Sequence, residues 1–235
     1  MSAVADEVRE YARATFRKAW EIKEWDRVPT EEDDAVGLGN KGVRIEAVIL
    51  YADLSDSTGL VREHGDEFAA EMYKAYVYTA AKAIRFHHGS VTAYDGDRVM
   101  GVFVGEERAN NAVDAAARMT AIIRDVLQPE LKAMYSWTDY EFEHKVGIDE
   151  SSILVANTGI RGNSDYTWVG PAANNAAKMA ALKIGLSTYI SAAIFDQLNR
   201  HNLYVDGAGD LMWADLGSTD LGYQIYGSTL YFKNA

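Results

Sequence analysis

The sequence predicts an α+β fold, a βαββαβ sheet with helices on one face, and three observations carry that prediction. The apolar run "RIEAVILYAD", residues 44–53, is followed by helical periodicity over residues 58–86. A second run, "SVTAYDGDRVMGVFVG" at residues 90–105, is divided at Asp95-Gly96-Asp97 as a β-hairpin is divided by its turn. An alanine-rich helix over residues 107–127 then precedes "EFEHKVGIDESSILVANTGI", residues 141–160, which reads as another strand pair.

The flanking elements follow the same logic. Val4, Val8, Tyr11, Ala12, Phe16, Trp20 and Ile22 recur among charges over residues 3–25, which predicts an amphipathic helix that must lie on something. Residues 26–43 are acidic and glycine-rich and read as a connector. The chain is therefore expected to divide into an N-terminal helix and connector, residues 1–43, and a main domain, residues 44–235. Behind Pro171, residues 172–183 read as a helix, and "STYIS" and "YQIYGSTLYF" as later strands. Repeats and low-complexity tracts are absent.

Composition narrows the function classes. The 35 acidic residues against 23 basic ones give a net charge of −12 and no basic patch, which argues against nucleic acid and anionic membranes as partners. Without cysteine there are no disulfides and no thiolate metal sites. The opening segment is too charged for a signal peptide, and no apolar run reaches the roughly 20 residues of a membrane span. A cytoplasmic protein is the expectation.

Chemistry concentrates where the first strand stops. With that strand and the hairpin as neighbours, Asp53 and Asp97 sit at adjacent strand ends and direct two hard oxygen ligands at one point, a donor set suited to Mg²⁺ or Mn²⁺. Such a pair can hold two ions, the arrangement of two-metal phosphoryl transfer. Ser57, Thr58 and Gly59 then open a helix whose free N–H groups welcome phosphate. Taken singly, "SDST" is an ordinary helix cap and Asp-Gly-Asp an ordinary turn; it is their joint placement after apolar strands that favours a site.

Other motifs carry less. "GLGNKG", residues 37–42, matches a dinucleotide-binding glycine pattern but precedes a strand instead of following one. Asp53-x-Ser55-x-Ser57 resembles a calcium loop, yet Thr58 and His64 stand where glycine and glutamate are needed. His87 and His88 end a helix, where imidazoles commonly meet the last carbonyls. Tyr73, Tyr76 and Tyr78 read as packing or dimer contacts, and Trp137 and Trp213 carry no readable role.

Three landmarks in order resemble the class III nucleotidyl cyclases: "YADL" at the first strand, "DGDRVMGVF" in the hairpin, and "WVGPAANNAAKMAAL", in which Asn174 and Lys178 follow Gly170 by four and eight residues. The match spans residues 44 to 190. Within that family, "KGVR", "LYADLSDST", "DGDRVM", "TGIRG" and "WVG" are similar to the bacterial pyrimidine cyclases of the Pycsar antiphage system. The resemblance implies a ferredoxin-like catalytic domain over residues 44–235 and a head-to-tail homodimer with composite sites. Asp53, Asp97 and the Leu54 carbonyl would hold two Mn²⁺ or Mg²⁺ ions in one chain, while Asn174 and Lys178 reach in from the other, Asn174 to the ribose and Lys178 to the α-phosphate. Lys178 stands where the family has arginine, and a lysine is a point charge without arginine's bidentate fork. Lys145, two residues before Gly147, matches a phosphate-binding arginine of the family.

Purine cyclases of the family read adenine with a lysine and an aspartate at the positions of Ala93 and Thr167, so this chain lacks the adenine code. Tyr51 narrows the site toward a single ring, and Asp95, Thr167 and Trp168 are candidates to line it. These residues leave UTP and CTP open. The subfamily resemblance leans to UTP, giving 3′,5′-cyclic UMP and pyrophosphate, and to a separately encoded effector that senses the cyclic nucleotide.

Overall fold

In the computed structural model, the structure describes residues 2–30, 32–160, 163–205, 209–218 and 221–229. In chain order the elements are α1 (Ala3–Arg17), β1 (Glu21–Trp25), β2 (Lys41–Leu54), α2 (Ser57–His64), α3 (Asp66–Phe86), β3 (Ser90–Asp95), β4 (Arg98–Phe103) and α4 (Arg108–Ile122). A π-helical turn, Ile123–Leu127, joins α4 to α5 (Gln128–Met134). Then come β5 (His144–Ile160), β6 (Asn163–Val169), α6 (Pro171–Ala180), β7 (Thr188–Ser191), α7 (Ala192–Phe195), α8 (Arg200–Leu203), β8 (Ala214–Gly217) and β9 (Ile225–Ser228). The chain forms two compact units, residues 1–46 with 152–170, and residues 47–151 with 171–235.

The larger unit holds the expected βαββαβ core as β2, α3, β3, β4, α4 and β5, with strand order β3-β4-β2-β5-β7-β9-β8. Val48, Leu50, Ala52 and Leu54 alternate along β2 into a core shared with Met72, Tyr76, Ala80 and Ile84 of α3 and Ala112, Ala116 and Met119 of α4. Period-two alternation therefore places Tyr51 and Asp53 on the other face. A further helix, α6, lies on that opposite face: a Cβ on Gly147 of β5 would overlap the Ala176 carbonyl and Met179. Burying the apolar sides of β2, α3 and α4 against each other is the main stabilising contribution, at about 25 cal/mol per Å² of apolar surface removed from water.

Several elements differ from the sequence reading. The N-terminal helix stops at Arg17, and residues 21–25 form β1, parallel to Lys41–Ile45. Asn40 ends the helix: its side-chain amide donates to the carbonyls of Thr15 and Lys18 at 2.9 and 2.7 Å. The connector is correspondingly shorter, since β2 begins at Lys41. The helix read over residues 58–86 is two, broken at Gly65, whose φ of 88° is left-handed. The strand pair read over 141–160 is one strand, β5, because "DESS" offers no glycine or proline to turn on; its hairpin partner is β6. The short elements β8, α7 and α8 had no counterpart in the sequence reading. Arg161 and Gly162 of "TGIRG", and residues 230–232 of the last expected strand, lie outside the described residues.

The side motifs settle into packing. His87 Nε2 accepts from Arg118 Nε at 2.9 Å instead of meeting helix carbonyls, and burial followed by the Arg118 charge pushes the ring's pKa down to about 4. Tyr76 is buried in the core, Tyr78 is exposed, and the Trp213 indole donates to the Asn202 carbonyl at 2.7 Å. Among the described residues no helix is long and apolar enough to cross a membrane.

Candidate active site

Asp53 stands at the end of β2, and the antiparallel register pairs it with Arg98, the residue after Asp97. The β3–β4 turn, closed by Gly96 at a φ of 62°, therefore carries Asp97 to the place where β2 delivers Asp53. Both aspartates line one cavity of about 420 Å³. Leu54 lines it too, although its side chain is buried in the core, so its contribution is from the backbone.

Burial and then the charge of Asp97 push the Asp53 carboxyl up to about 6, against the opposing pull of Arg98 and Lys145. Among the described residues neither aspartate is within ion-pair distance of a lysine or arginine: Arg98 bonds Asp95 at 2.5 Å. Two carboxylates that repel each other in a partly buried cavity fit a divalent cation. Among the described residues no three His, Cys, Asp or Glu side chains form a metal cage, so the donor set fits ions whose coordination is completed by water and a substrate.

The loop beyond β2 is held in shape by its own polar groups. Asp56 adopts a left-handed backbone, φ 53°, and its carboxylate accepts from the Gly59 N–H at 3.3 Å as the N-cap of α2. A side chain at position 59 would collide with that carboxylate. Tyr73 donates its hydroxyl proton to the Ser57 carbonyl at 2.9 Å, and the Ser55 N–H donates to the Glu143 carbonyl at 2.8 Å. Ser57 and Thr58 thereby stand at the cavity wall at the start of α2. Lys145, near the start of β5, lines the same cavity.

The remaining candidates are placed differently. Tyr51 is half-buried on the Asp53 face of β2, opposite Met100. Burial raises its phenol's pKa, with Arg98 opposing and Asp95 adding. Asp95 is exposed and bonded to Arg98. Thr167 and Trp168 lie on β6 in the smaller unit, where the Thr167 and Thr158 hydroxyls share a 2.6 Å hydrogen bond. Asn174 and Lys178, one turn apart on the exposed side of α6, do not line the Asp53 cavity. What reaches it is Ala180 at the C-terminal end of α6, then Ala181 and Lys183; the helix read over residues 172–183 stops at Ala180, and Lys183 was passed over because it falls just beyond the motif that ends at Leu182.

No protein-family model matches the chain. It is 37% identical over 227 residues to a uridylate cyclase from Burkholderia cepacia, covering 97% of each chain. It is 40% identical over 193 residues to a uridylate cyclase from Xanthomonas perforans, covering 82% of this chain and 83% of that one. Among solved structures, an adenylyl cyclase from P. aeruginosa superposes with a TM-score of 0.68 at 21% identity, over 83% of this chain and 99% of the other.

Proposed function

Because the chain belongs to the uridylate cyclase family and carries the class III cyclase fold, we propose that it converts UTP to 3′,5′-cyclic UMP and pyrophosphate. The ribose 3′-oxygen gives its proton to solvent as it attacks the α-phosphorus, and the bond from that phosphorus to the bridging oxygen breaks, its electron pair leaving with pyrophosphate. The observation that carries this reading is the convergence of Asp53 and Asp97 on one cavity in a chain related to uridylate cyclases along nearly its whole length.

Asp53, Asp97 and the Leu54 carbonyl are the residues that would hold Mn²⁺ or Mg²⁺, two ions per site. Those ions, when bound, supply a more acidic 3′-hydroxyl and neutralise charge on the departing pyrophosphate. The chain's own groups do the positioning. The Ser57 and Thr58 backbone at the start of α2 faces phosphate with free N–H groups and the positive end of the helix dipole. Lys145 adds a cation to the phosphates from β5. Asn174 fixes the ribose, and Lys178 stabilises charge that builds on the α-phosphate in the transition state. These two act from a partner copy, in a head-to-tail homodimer. Tyr51, Asp95, Thr167 and Trp168 are assigned to the base, in a site without the adenine-reading pair. As in the antiphage systems that the subfamily resembles, the cyclic nucleotide would act as a second messenger on a separately encoded effector.

Incubation of purified protein with each of the four ribonucleoside triphosphates and Mn²⁺, read by product mass, tests the activity and the base together. Cyclic UMP and pyrophosphate are expected. Cyclic CMP would reassign the base, cyclic AMP would refute the argument from Ala93 and Thr167, and no product from any nucleotide would leave a nucleotide-binding relative.

A further inference from the structure

Resting on the cyclase reading, we propose that Lys183 is a second polyphosphate-binding residue, acting with Lys145 in the same chain as Asp53 and Asp97 to hold the β- and γ-phosphates and then the leaving pyrophosphate. The topology brings it there. Strands β5 and β7 run parallel, so the starts of both lie at one end of the sheet. That is the end at which β2 stops, as the Ser55 to Glu143 backbone bond marks. Lys145 enters at the start of β5, and Lys183 lies on the segment between α6 and β7. Both line the cavity that holds Asp53 and Asp97.

The charges of the cavity single these lysines out. Arg98 is engaged by Asp95, and the Asp56 carboxylate is occupied by the Gly59 N–H. Among the described residues, Lys145 and Lys183 have no carboxylate within ion-pair distance, although Asp53, Asp56 and Asp97 line the same cavity. A triphosphate with four negative charges, two divalent cations and the three aspartates that line the cavity leave a surplus of three negative charges, which Lys145, Lys183 and the Lys178 proposed to come from a partner copy neutralise. A lysine is apt for this place: a point charge on a flexible stem can follow a phosphate group that moves away, which a rigid guanidinium fork does less well. Lys178 cannot fill the role in this chain, since it does not line the cavity; Lys183, five residues later, does.

The test is calorimetric binding of inorganic tripolyphosphate with Mg²⁺ to the full chain, alongside UTP turnover, for the wild type, Lys183→Ala and Lys183→Arg. Lys183 is exposed, so the variants should melt like the wild type. We expect Lys183→Ala to weaken tripolyphosphate binding roughly tenfold and to raise the KM for UTP, with Lys183→Arg near wild type in tripolyphosphate binding but slower in turnover, and UMP binding unchanged. Undiminished tripolyphosphate binding by Lys183→Ala, in a preparation whose wild type turns over UTP, overturns the assignment and leaves the cyclase reading intact. Tenfold weaker binding by Lys183→Ala in a protein that turns over no nucleotide would uphold the polyphosphate assignment while refuting the cyclase reading.

Discussion

Asp53 is placed where its charge is disfavoured. Its pKa is raised from 3.8 to about 6 by burial and by Asp97, so the folded chain holds this proton more tightly than the unfolded chain does. The stability that follows is present at low pH and falls as pH rises from about 4 to 6; above 6 the unfavourable contribution is complete. If Asp53 holds the cation as proposed, its replacement by Asn should lower turnover by about 10³-fold or more, and the raised pKa means that the replacement should also stabilise the cation-free protein. Discounted for partial exposure, the gain is about 1 kcal/mol, or a Tm rise of about 2–4 °C in EDTA at neutral pH. An unchanged or lower Tm would show that the two carboxylates do not strain the fold. His144 works in the opposite sense. It is buried, with Nε2 3.0 Å from the Thr120 hydroxyl, and burial pushes its pKa down to about 4 from 6.5. The unfolded chain takes up that proton first, so this contribution to stability is lost as pH falls from about 6.5 to 4. In an Asp53→Asn background, which removes the largest opposing titration, denaturant midpoints should fall through that window, and His144→Gln should remove part of the fall, the rest coming from His87, whose pKa is likewise pushed down to about 4.

At the scale of elements, the seating of α6 on β5 decides where Asn174 and Lys178 point. Gly147, Asp149 and Ser151 alternate along one face of β5, and each meets the helix. Gly147 admits its backbone, Asp149 accepts from the Asn175 amide at 2.8 Å, and the Ser151 hydroxyl accepts from the Ala172 N–H at 3.2 Å. Gly147→Ala puts a methyl group against the Ala176 carbonyl, and must either displace α6 or bend β5. We expect a stability loss of about 1–3 kcal/mol, with kcat falling further than that loss explains and Mn²⁺ affinity retained, because the helix moves while Asp53 and Asp97 do not; wild-type kcat would show that the seating is irrelevant to catalysis. The same elements show what a sequence discloses. Asp53 and Asp97 were legible because alternation and a turn are local patterns, and neighbouring strands made them one site. The end of α1 was not, since the group that stops it, Asn40, lies 25 residues beyond the Thr15 carbonyl it binds. Lys183 was not, because its placement comes from the parallel pairing of β5 and β7, a relation between distant segments.

For the whole molecule, the decisive fact is that the larger unit carries both halves of the proposed chemistry and does not unite them. Asp53 and Asp97 line the cavity, and Asn174 and Lys178, on the exposed side of α6, do not. On the proposed assignment, a single chain presents its cation-binding residues and its ribose- and phosphate-binding residues apart, and an arrangement that turns one copy's α6 toward the other's cavity joins them. A two-fold axis does this twice, since the same pair of surfaces meets itself on both sides. Mixing two inactive variants tests it. In a heterodimer of Asp53→Asn and Asn174→Ala, one site collects both lesions and the other has neither. Random re-association of equal amounts should therefore restore about a quarter of wild-type turnover, while each variant alone stays inactive. If dimers form and exchange but no turnover returns, the two halves act within one chain, and α6 must swing onto its own Asp53 cavity during the reaction.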